Sequence, residues 1–227
     1  MNWLTISIPA YNEEKNIIPL IYDIINICDL LAIDYSIFII NDGSTDDTEK
    51  KINKNFGNDS RISIYRHERN MGFGQTIKDC FTIPDSEWIM NISGDNQFPA
   101  ENIRRMIPYC KIHDVILGYR TNRHDNKYRK ITSLVYNLLI SSLAKKKIND
   151  VSSILLVKKS LICDKHFKSI SGFIHAEIAI EALKNSSSYT EVELIHRERK
   201  YGNASGGKLS TILYTIFEML KYITGIL

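Results

Sequence analysis

Asp95, Asn96 and Gln97 stand together in Ile92-Ser93-Gly94-Asp95-Asn96-Gln97-Phe98-Pro99, directly after the apolar run Trp88 to Ile92. A carboxylate just past a strand end, with an amide two residues on, can set two oxygens on one side of a turn. That arrangement suits Mg2+ or Mn2+, hard ions that take few protein ligands and leave room for phosphate oxygens. The competing role for Asp95 is to cap the helix that follows. Asp42, in Ile40-Asn41-Asp42-Gly43-Ser44, can accept a hydrogen bond from a nucleotide base or ribose, or simply close an Asx turn. Gly72 and Gly74, in Asn70-Met71-Gly72-Phe73-Gly74-Gln75, permit close backbone approach to a ligand at a helix start. Their spacing is not that of a dinucleotide fingerprint.

These clusters need elements to hold them. Leu4 to Pro9, Tyr35 to Ile40, Arg61 to Tyr65, Glu87 to Ile92 and Asp114 to Leu117 read as buried strands. Between them lie helical patterns. The first has Ile17, Ile18, Leu20, Ile21, Ile24, Ile25 and Cys28 at helical spacing behind Asn12, which reads as its cap, with Glu13 and Glu14 in its first turn. Ser44 and Asp47 form a capping-box pattern for the second. Gly72 to Phe81 and Pro99 to Tyr109 read as two more. Strands alternating with helices predict an α/β fold with a mostly parallel central sheet and right-handed crossovers. Such sheets bind ligands beyond the carboxyl ends of their strands. Every polar cluster named above falls at such an end.

The second half is less regular. Lys127 to Lys146 reads as an amphipathic helix, Val151 to Val157 and Thr190 to Ile195 as strands, and Ser171 to Leu183 as a helix. His196 to Lys208 is basic and rich in glycine and reads as a loop; Leu209 to Ile226 reads as a terminal helix.

Composition bounds the function. The chain has 227 residues, 44% hydrophobic and 24% charged, with a formal net charge of +3. That is an ordinary globular balance, with no charge excess to argue for nucleic acid. The four cysteines form no CxxC pair, which argues against a zinc site and for reduced thiols in a cytoplasmic setting. The residues after Met1 enter a strand pattern directly, so no signal peptide is expected. No run reaches the roughly 20 apolar residues of a membrane span.

Taken in order, the motifs resemble those of the family 2 glycosyltransferases. Ile8-Pro9-Ala10-Tyr11-Asn12-Glu13-Glu14 is similar to that family's opening strand and turn, Asn41-Asp42-Gly43-Ser44-Thr45-Asp46-Asp47-Thr48 to its Asp-Asp-Gly-Ser-x-Asp-x-Thr motif, and Asn70-Met71-Gly72-Phe73-Gly74 to its Asn-x-Gly-x-Gly turn. Ser93 to Glu101 resembles the Asp-Ala-Asp-Leu-Gln-x-Pro-Pro-Glu motif of the dolichol- and polyprenyl-phosphate sugar transferases. The resemblance implies a GT-A fold, with a nucleotide-sugar-binding half over residues 1–120, an acceptor half over 121–208 and an amphipathic helix over 209–227. It implies that Asp95 and Gln97 hold a divalent metal, Mg2+ or Mn2+. It implies a nucleotide pocket lined by Pro9, Tyr11, Glu13, Asp42, Gly72, Gly74, Ser93 and Asp95. Arg120 matches a Gly-x-Arg of the family, Asp150-Val151-Ser152-Ser153 its Asp-Val-Thr-Ser segment, and Arg199, Ser205 and Lys208 an Arg-x-x-Gly-x-Ser-Lys loop. These residues, with Arg129, are expected around the acceptor phosphate. Three departures stand out: Ser93 and Asn41 each replace an Asp, and Ile154-Leu155-Leu156 replaces a usual Gly-Phe-Arg.

The implied reaction is an inverting displacement from a UDP- or GDP-sugar. A hydroxyl acceptor needs a carboxylate base beside it; an ionised phosphate does not. Ser171 to Glu177 lacks a paired acid, and Glu177 is expected to orient a basic residue. The expectation is therefore transfer to a polyprenyl phosphate at the inner face of the cytoplasmic membrane, by a peripherally attached enzyme with Asp95, Arg120 and Glu177 in catalytic roles. The alternatives are transfer to a saccharide hydroxyl, and a nucleotide-sugar-binding protein without turnover.

Overall fold

The computed structural model describes residues 2–121, 127–201 and 209–225, with the side chains of 127–130 and 209–210 left out. One sheet of seven strands forms the centre: β1 Leu4–Ala10, β2 Tyr35–Asn41, β3 Ile62–Arg66, β4 Trp88–Asn91, β5 Val115–Arg120, β6 Leu155–Lys158 and β7 Tyr189–Leu194, in the order β3-β2-β1-β4-β6-β5-β7. The helices are α1 Ile17–Leu30, α2 Thr48–Phe56, α3 Phe73–Thr82, α4 Glu101–Met106, α5 Lys127–Ala144, α6 Phe173–Asn185 and α7 Leu209–Ile223. The α/β expectation holds, and the first-half strands pair in parallel as predicted.

β6 differs from the simple alternation. It runs antiparallel to both β4 and β5, so β5 and β7 point the same way as β1 to β4. The carboxyl ends of every strand but β6 therefore share one edge of the sheet.

Period-2 alternation divides the core into two layers. Leu4, Ile6, Ile8, Ile116 and Leu156 face a cluster with Ile17, Leu20, Ile21 and Ile24 of α1 and Ile103 of α4. Val115, Leu117, Leu155 and Val157 face the opposite cluster, with Phe81 of α3, Ile140 of α5 and Phe173, Ile174 and Ile178 of α6.

Several local expectations are corrected. Asn12 does not cap α1, which begins at Ile17 with no acid in its first turn. Asn12 takes a left-handed φ of 55° instead, and its Oδ1 accepts the Thr45 N–H at 2.8 Å. A tertiary partner across the loop has outcompeted the helix end. The Ser44/Asp47 capping box does not form either. Ser44 Oγ accepts the Asn12 N–H, and Asp46 Oδ1 accepts the N–H of Thr48, where α2 begins. The strand expected over Val151 to Val157 shortens to Leu155–Lys158, because Val151 N donates to Asn137 Oδ1 on α5 rather than to a ladder.

Among the described residues no helix is long and apolar enough to cross a membrane. All four cysteines are free, and burial pushes the Cys28 and Cys110 thiols up to about 12, which makes them unreactive.

Candidate functional site at the carboxyl edge of the sheet

The loops after β1 and β2 brace each other. Besides the Asn12 contacts, Glu13 N donates to Thr48 Oγ1 at 2.9 Å and Glu14 N to Asp46 Oδ2 at 3.2 Å. The β4 loop joins them through Gly94 N, which donates to the Pro9 carbonyl at 3.2 Å. A Cβ on Gly94 would lie 2.9 Å from that oxygen, so a glycine is what lets the two loops touch. Ser93 sits half-buried beside it, and Tyr11 is 44% exposed at the rim.

The β3 loop is held from beneath by Asp42. Its Oδ1 accepts the Met71 N–H at 2.7 Å and lies 2.7 Å from His67 Nδ1; its Oδ2 accepts the Gly72 N–H at 3.0 Å. Asp42 is 3% exposed. In this arrangement the oxygens of Asp42, expected in the nucleotide pocket, serve the turn. Gly72 adopts φ +88°, the region that favours glycine, with open space where a Cβ would stand. Gly74 has a different reason. A Cβ there would lie 1.9 Å from the Ile170 carbonyl oxygen, so its close approach is to the chain's own backbone.

The centre of the edge is Arg199, in the segment leaving β7. Its Nη2 donates to Glu13 Oε1 at 2.5 Å and its Nη1 lies 3.7 Å from Asp95 Oδ2. The segment is tied down by Arg197 N, which donates to the Gln97 carbonyl at 2.8 Å, and by Arg199 Nε, which donates to the Tyr201 carbonyl at 2.7 Å. Burial pushes the Glu13 carboxyl above its ordinary range; Asn16 and Arg199 oppose that rise and the Asp95 charge adds to it. One guanidinium between two carboxylates offsets one of their two negative charges and so weakens the repulsion that a polyanion would meet there.

The donor set at Asp95 fits a divalent cation. Its Oδ1 accepts the Gln97 N–H at 3.1 Å, leaving Oδ2 with only the long Arg199 contact. Asn96 is held at φ 58°, and its Oδ1 is buried without a hydrogen-bond partner. A carboxylate and an orphaned carbonyl are hard oxygen donors. Gln97, the second expected ligand, directs Nε2 to the Arg197 carbonyl at 3.4 Å. Among the described residues no cluster of three or more His, Cys, Asp or Glu side chains can enclose an ion.

Arg120, at the end of β5, forms a bidentate pair with Asp150: Nε to Oδ2 at 2.6 Å and Nη2 to Oδ1 at 3.0 Å. Its guanidinium lies 5.8 Å from the Phe98 ring centre, which places it beside the β4 loop. Ser152 is exposed, next to this pair in the chain. Arg129, Ser205 and Lys208, expected at the acceptor phosphate, lie outside the described side chains. Glu177 does not orient a basic residue. It is buried, and its oxygens accept the N–H groups of Lys168 and Ser169 at 3.2 and 3.1 Å. Glu218 of α7 grips the next two, Ile170 and Ser171, at 3.0 and 2.9 Å. The two acids shape the loop that meets Gly74. His67, Asp79 and Glu218 were missed in the sequence, because a lone His just past a strand or a lone acid within a helix carries no local pattern.

Residues 5–169 match the family described as Glycosyl transferase family 2. The undecaprenyl-phosphate 4-deoxy-4-formamido-L-arabinose transferase of Proteus mirabilis is 26% identical over 97% of this chain and 68% of its own length. The protein of the same name from Yersinia pestis is 28% identical over 97% of this chain and 67% of its own. Among solved structures, glucosyl-3-phosphoglycerate synthase from Mycobacterium tuberculosis, crystallised with Mn2+, UDP and glucosyl-3-phosphoglycerate, superposes with a TM-score of 0.73 at 16% identity, over 97% of this chain and 79% of that one. S. aureus TarS 1-349 in complex with UDP-GlcNAc gives a TM-score of 0.60 at 18% identity; the alignment covers 91% of this chain and 60% of TarS. These neighbours establish the GT-A fold.

Proposed function

Because the chain belongs to glycosyl transferase family 2, we propose that it moves a sugar from a nucleoside diphosphate donor to a polyprenyl phosphate, with inversion. The observation that carries the donor side is Arg199 spanning Glu13 and Asp95 at the edge where the loops after β1 to β4 converge. A guanidinium fork already pulled into a cleft is poised to exchange carboxylate partners for diphosphate oxygens. Tyr11 and Pro9 flank the nucleotide, and the Met71–Gly72 turn closes its side of the cleft. Asp95, with Asn96 and Gln97 beside it, holds a divalent cation, Mg2+ or Mn2+, which when bound supplies positive charge to the leaving diphosphate. The relatives with Mn2+ and UDP in their crystals support this assignment.

The acceptor side rests on the tied-up acids. With Glu177 spent on backbone N–H groups, α6 supplies no free base of the sort a hydroxyl acceptor requires. A phosphate monoester is already ionised near neutral pH. One of its oxygens attacks the anomeric carbon as the bond from that carbon to the diphosphate breaks, and no proton need be removed. Arg120, presented by Asp150, and Arg129, Arg199, Ser152, Ser205 and Lys208 are assigned to the two phosphate-bearing substrates. The names of the Proteus and Yersinia relatives favour the same acceptor class.

A polyprenyl acceptor lies in a bilayer. Ile131, Leu134 and Leu138 of α5 and Leu213, Phe217 and Leu220 of α7 are each more than half exposed. Both helices pack on α6, and Lys145, Lys146 and Lys147 follow α5. Apolar stripes with basic flanks suit peripheral attachment to an anionic membrane surface.

The test is a screen of UDP- and GDP-sugars against a short polyprenyl phosphate, with mass detection of the product, alongside the Asp95→Asn variant. Transfer to the lipid phosphate, reduced about a hundredfold or more in Asp95→Asn, is expected. Transfer only to a soluble saccharide, or undiminished turnover in the variant, overturns the acceptor or the Asp95 assignment respectively.

A further inference from the structure

His67 links two buried carboxylates beneath the Met71–Gly72 turn. Its Nδ1 lies 2.7 Å from Asp42 Oδ1 and its Nε2 lies 2.9 Å from Asp79 Oδ2. His67 is 8% exposed, Asp42 3% and Asp79 9%. Asp79 Oδ1 also accepts from Gln75 Nε2 at 2.9 Å, and the Tyr65 ring stands edge-on to the imidazole at 5.6 Å. His67 N donates to the Asn41 carbonyl at 2.9 Å, fixing the backbone beneath the ring.

Neither ring nitrogen has a donor opposite it; each faces a carboxylate oxygen. Two hydrogens are therefore needed to make both contacts, one more than a neutral imidazole carries. Asp42 already accepts two backbone N–H groups and Asp79 an amide, so both carboxylates stand as acceptors. The extra hydrogen accordingly belongs on the ring, giving an imidazolium between two carboxylates.

We propose that His67 is a positioning residue of the donor site: as a doubly hydrogen-bonded imidazolium it fixes the Asp42 carboxylate, and through it the Met71–Gly72 turn. This rests on the donor reading above but concerns a residue that touches no substrate. Gly72 sits at φ +88°, a conformation with several alternatives open to a glycine. The two N–H groups converging on one carboxylate select it. Because Asp42 is anchored in turn by His67, the turn is preorganised before any nucleotide arrives, which spares the ordering cost at binding.

Histidine has two partial mimics. Asn at position 67 can place an N–H where Nδ1 stands, toward Asp42. Gln can place one where Nε2 stands, toward Asp79. The experiment measures UDP binding by calorimetry in the wild type, His67→Asn and His67→Gln, with unfolding midpoints to confirm folding. Separately, it records two-dimensional nitrogen spectra of the wild-type protein with histidine labelled at the ring nitrogens, the His67 signals being identified by their loss in His67→Asn.

The expected results are a His67 ring protonated on both nitrogens, UDP affinity within about threefold of wild type in His67→Asn, and about a tenfold loss in His67→Gln, the scale of one charge-assisted hydrogen bond. A ring carrying a single hydrogen at neutral pH overturns the inference, whatever the binding data. So does equal binding by both variants, or an equal loss in both. If the wild type binds no UDP or GDP while the ring proves doubly protonated, the donor reading fails and the protonation assignment stands by itself. If the variants do not fold, the His67 signals are assigned in the wild type by their through-space contact with the Tyr65 ring, and the spectra still decide the protonation on which the proposal depends.

Discussion

Arg199 and Glu13 stand 186 residues apart in the chain, yet Nη2 of the one donates to Oε1 of the other at 2.5 Å. This contact draws the segment after β7 across the mouth of β1 and sets a guanidinium against Asp95. It ties the two halves of the chain together at the place proposed for the donor's diphosphate.

Replacing that guanidinium should therefore be costly for the donor. Arg199→Lys keeps the charge but has no fork to span Glu13 and Asp95. It should raise the donor KM about tenfold, and Arg199→Ala more, while leaving two carboxylates to repel the diphosphate. Initial rates against donor concentration check this; an unchanged donor KM in both variants would remove Arg199 from the site.

The glycines of the β3 loop should respond in opposite order to their apparent exposure to ligand. Gly74→Ala forces a methyl to within 1.9 Å of the Ile170 carbonyl oxygen, a backbone clash that should cost more than about 2 kcal/mol. Gly72→Ala meets open space but puts alanine at φ 88° and ψ 162°, a region essentially reserved for glycine, at a cost of about 1–3 kcal/mol. Denaturant unfolding of the two variants gives the comparison. A Gly74→Ala protein as stable as wild type would show that the 170–171 loop can yield.

His175 makes stability depend on pH. Its Nδ1 lies 2.7 Å from the Val151 carbonyl, and burial lowers its pKa from 6.5 to about 4. The folded pKa lies below the unfolded one, so the neutral ring's contribution is complete above pH 6.5 and is lost as pH falls toward 4. The full loss is on the order of 3 kcal/mol. The unfolding midpoint should fall between pH 7 and pH 4.5 by several degrees more in the wild type than in His175→Gln. Parallel pH curves for the two would assign the acid sensitivity elsewhere.

The apolar face of α7 offers a separate test. Leu213 is 57% and Phe217 51% exposed, so changing both to serine should leave the unfolding midpoint within a degree or two. Binding to anionic vesicles should fall about tenfold or more, since each buried side chain of this size is worth ~1.5–3 kcal/mol. Deleting α7 would be a poorer probe, because Glu218 holds the N–H groups of Ile170 and Ser171. Unchanged vesicle binding would return this face to another partner.

Much of this protein was legible in its residues. Apolar runs and helical spacing located β1 to β5 and α1 to α4, because burial of a strand or helix face is periodic in the chain itself. The polar clusters at strand ends named Glu13, Asp42, Asp95 and the Gly72 turn for the same reason: a loop must follow its strand. What no local pattern contained was which groups would be satisfied by which. Asn12 looked like a helix cap and became a cross-loop brace. Asp42 looked free to meet a nucleotide and was taken by His67 and two N–H groups. Glu177 looked available and was taken by the loop at 168–169. The reversed direction of β6, which puts the ends of β5 and β7 beside those of β1 to β4, was equally invisible. Hydrogen bonds and ion pairs between distant segments depend on three-dimensional approach, and a buried polar group takes whichever partner the fold delivers. Element type and the choice of candidate residues were thus determined by the sequence, and the partners that each of those residues takes were decided by the tertiary structure.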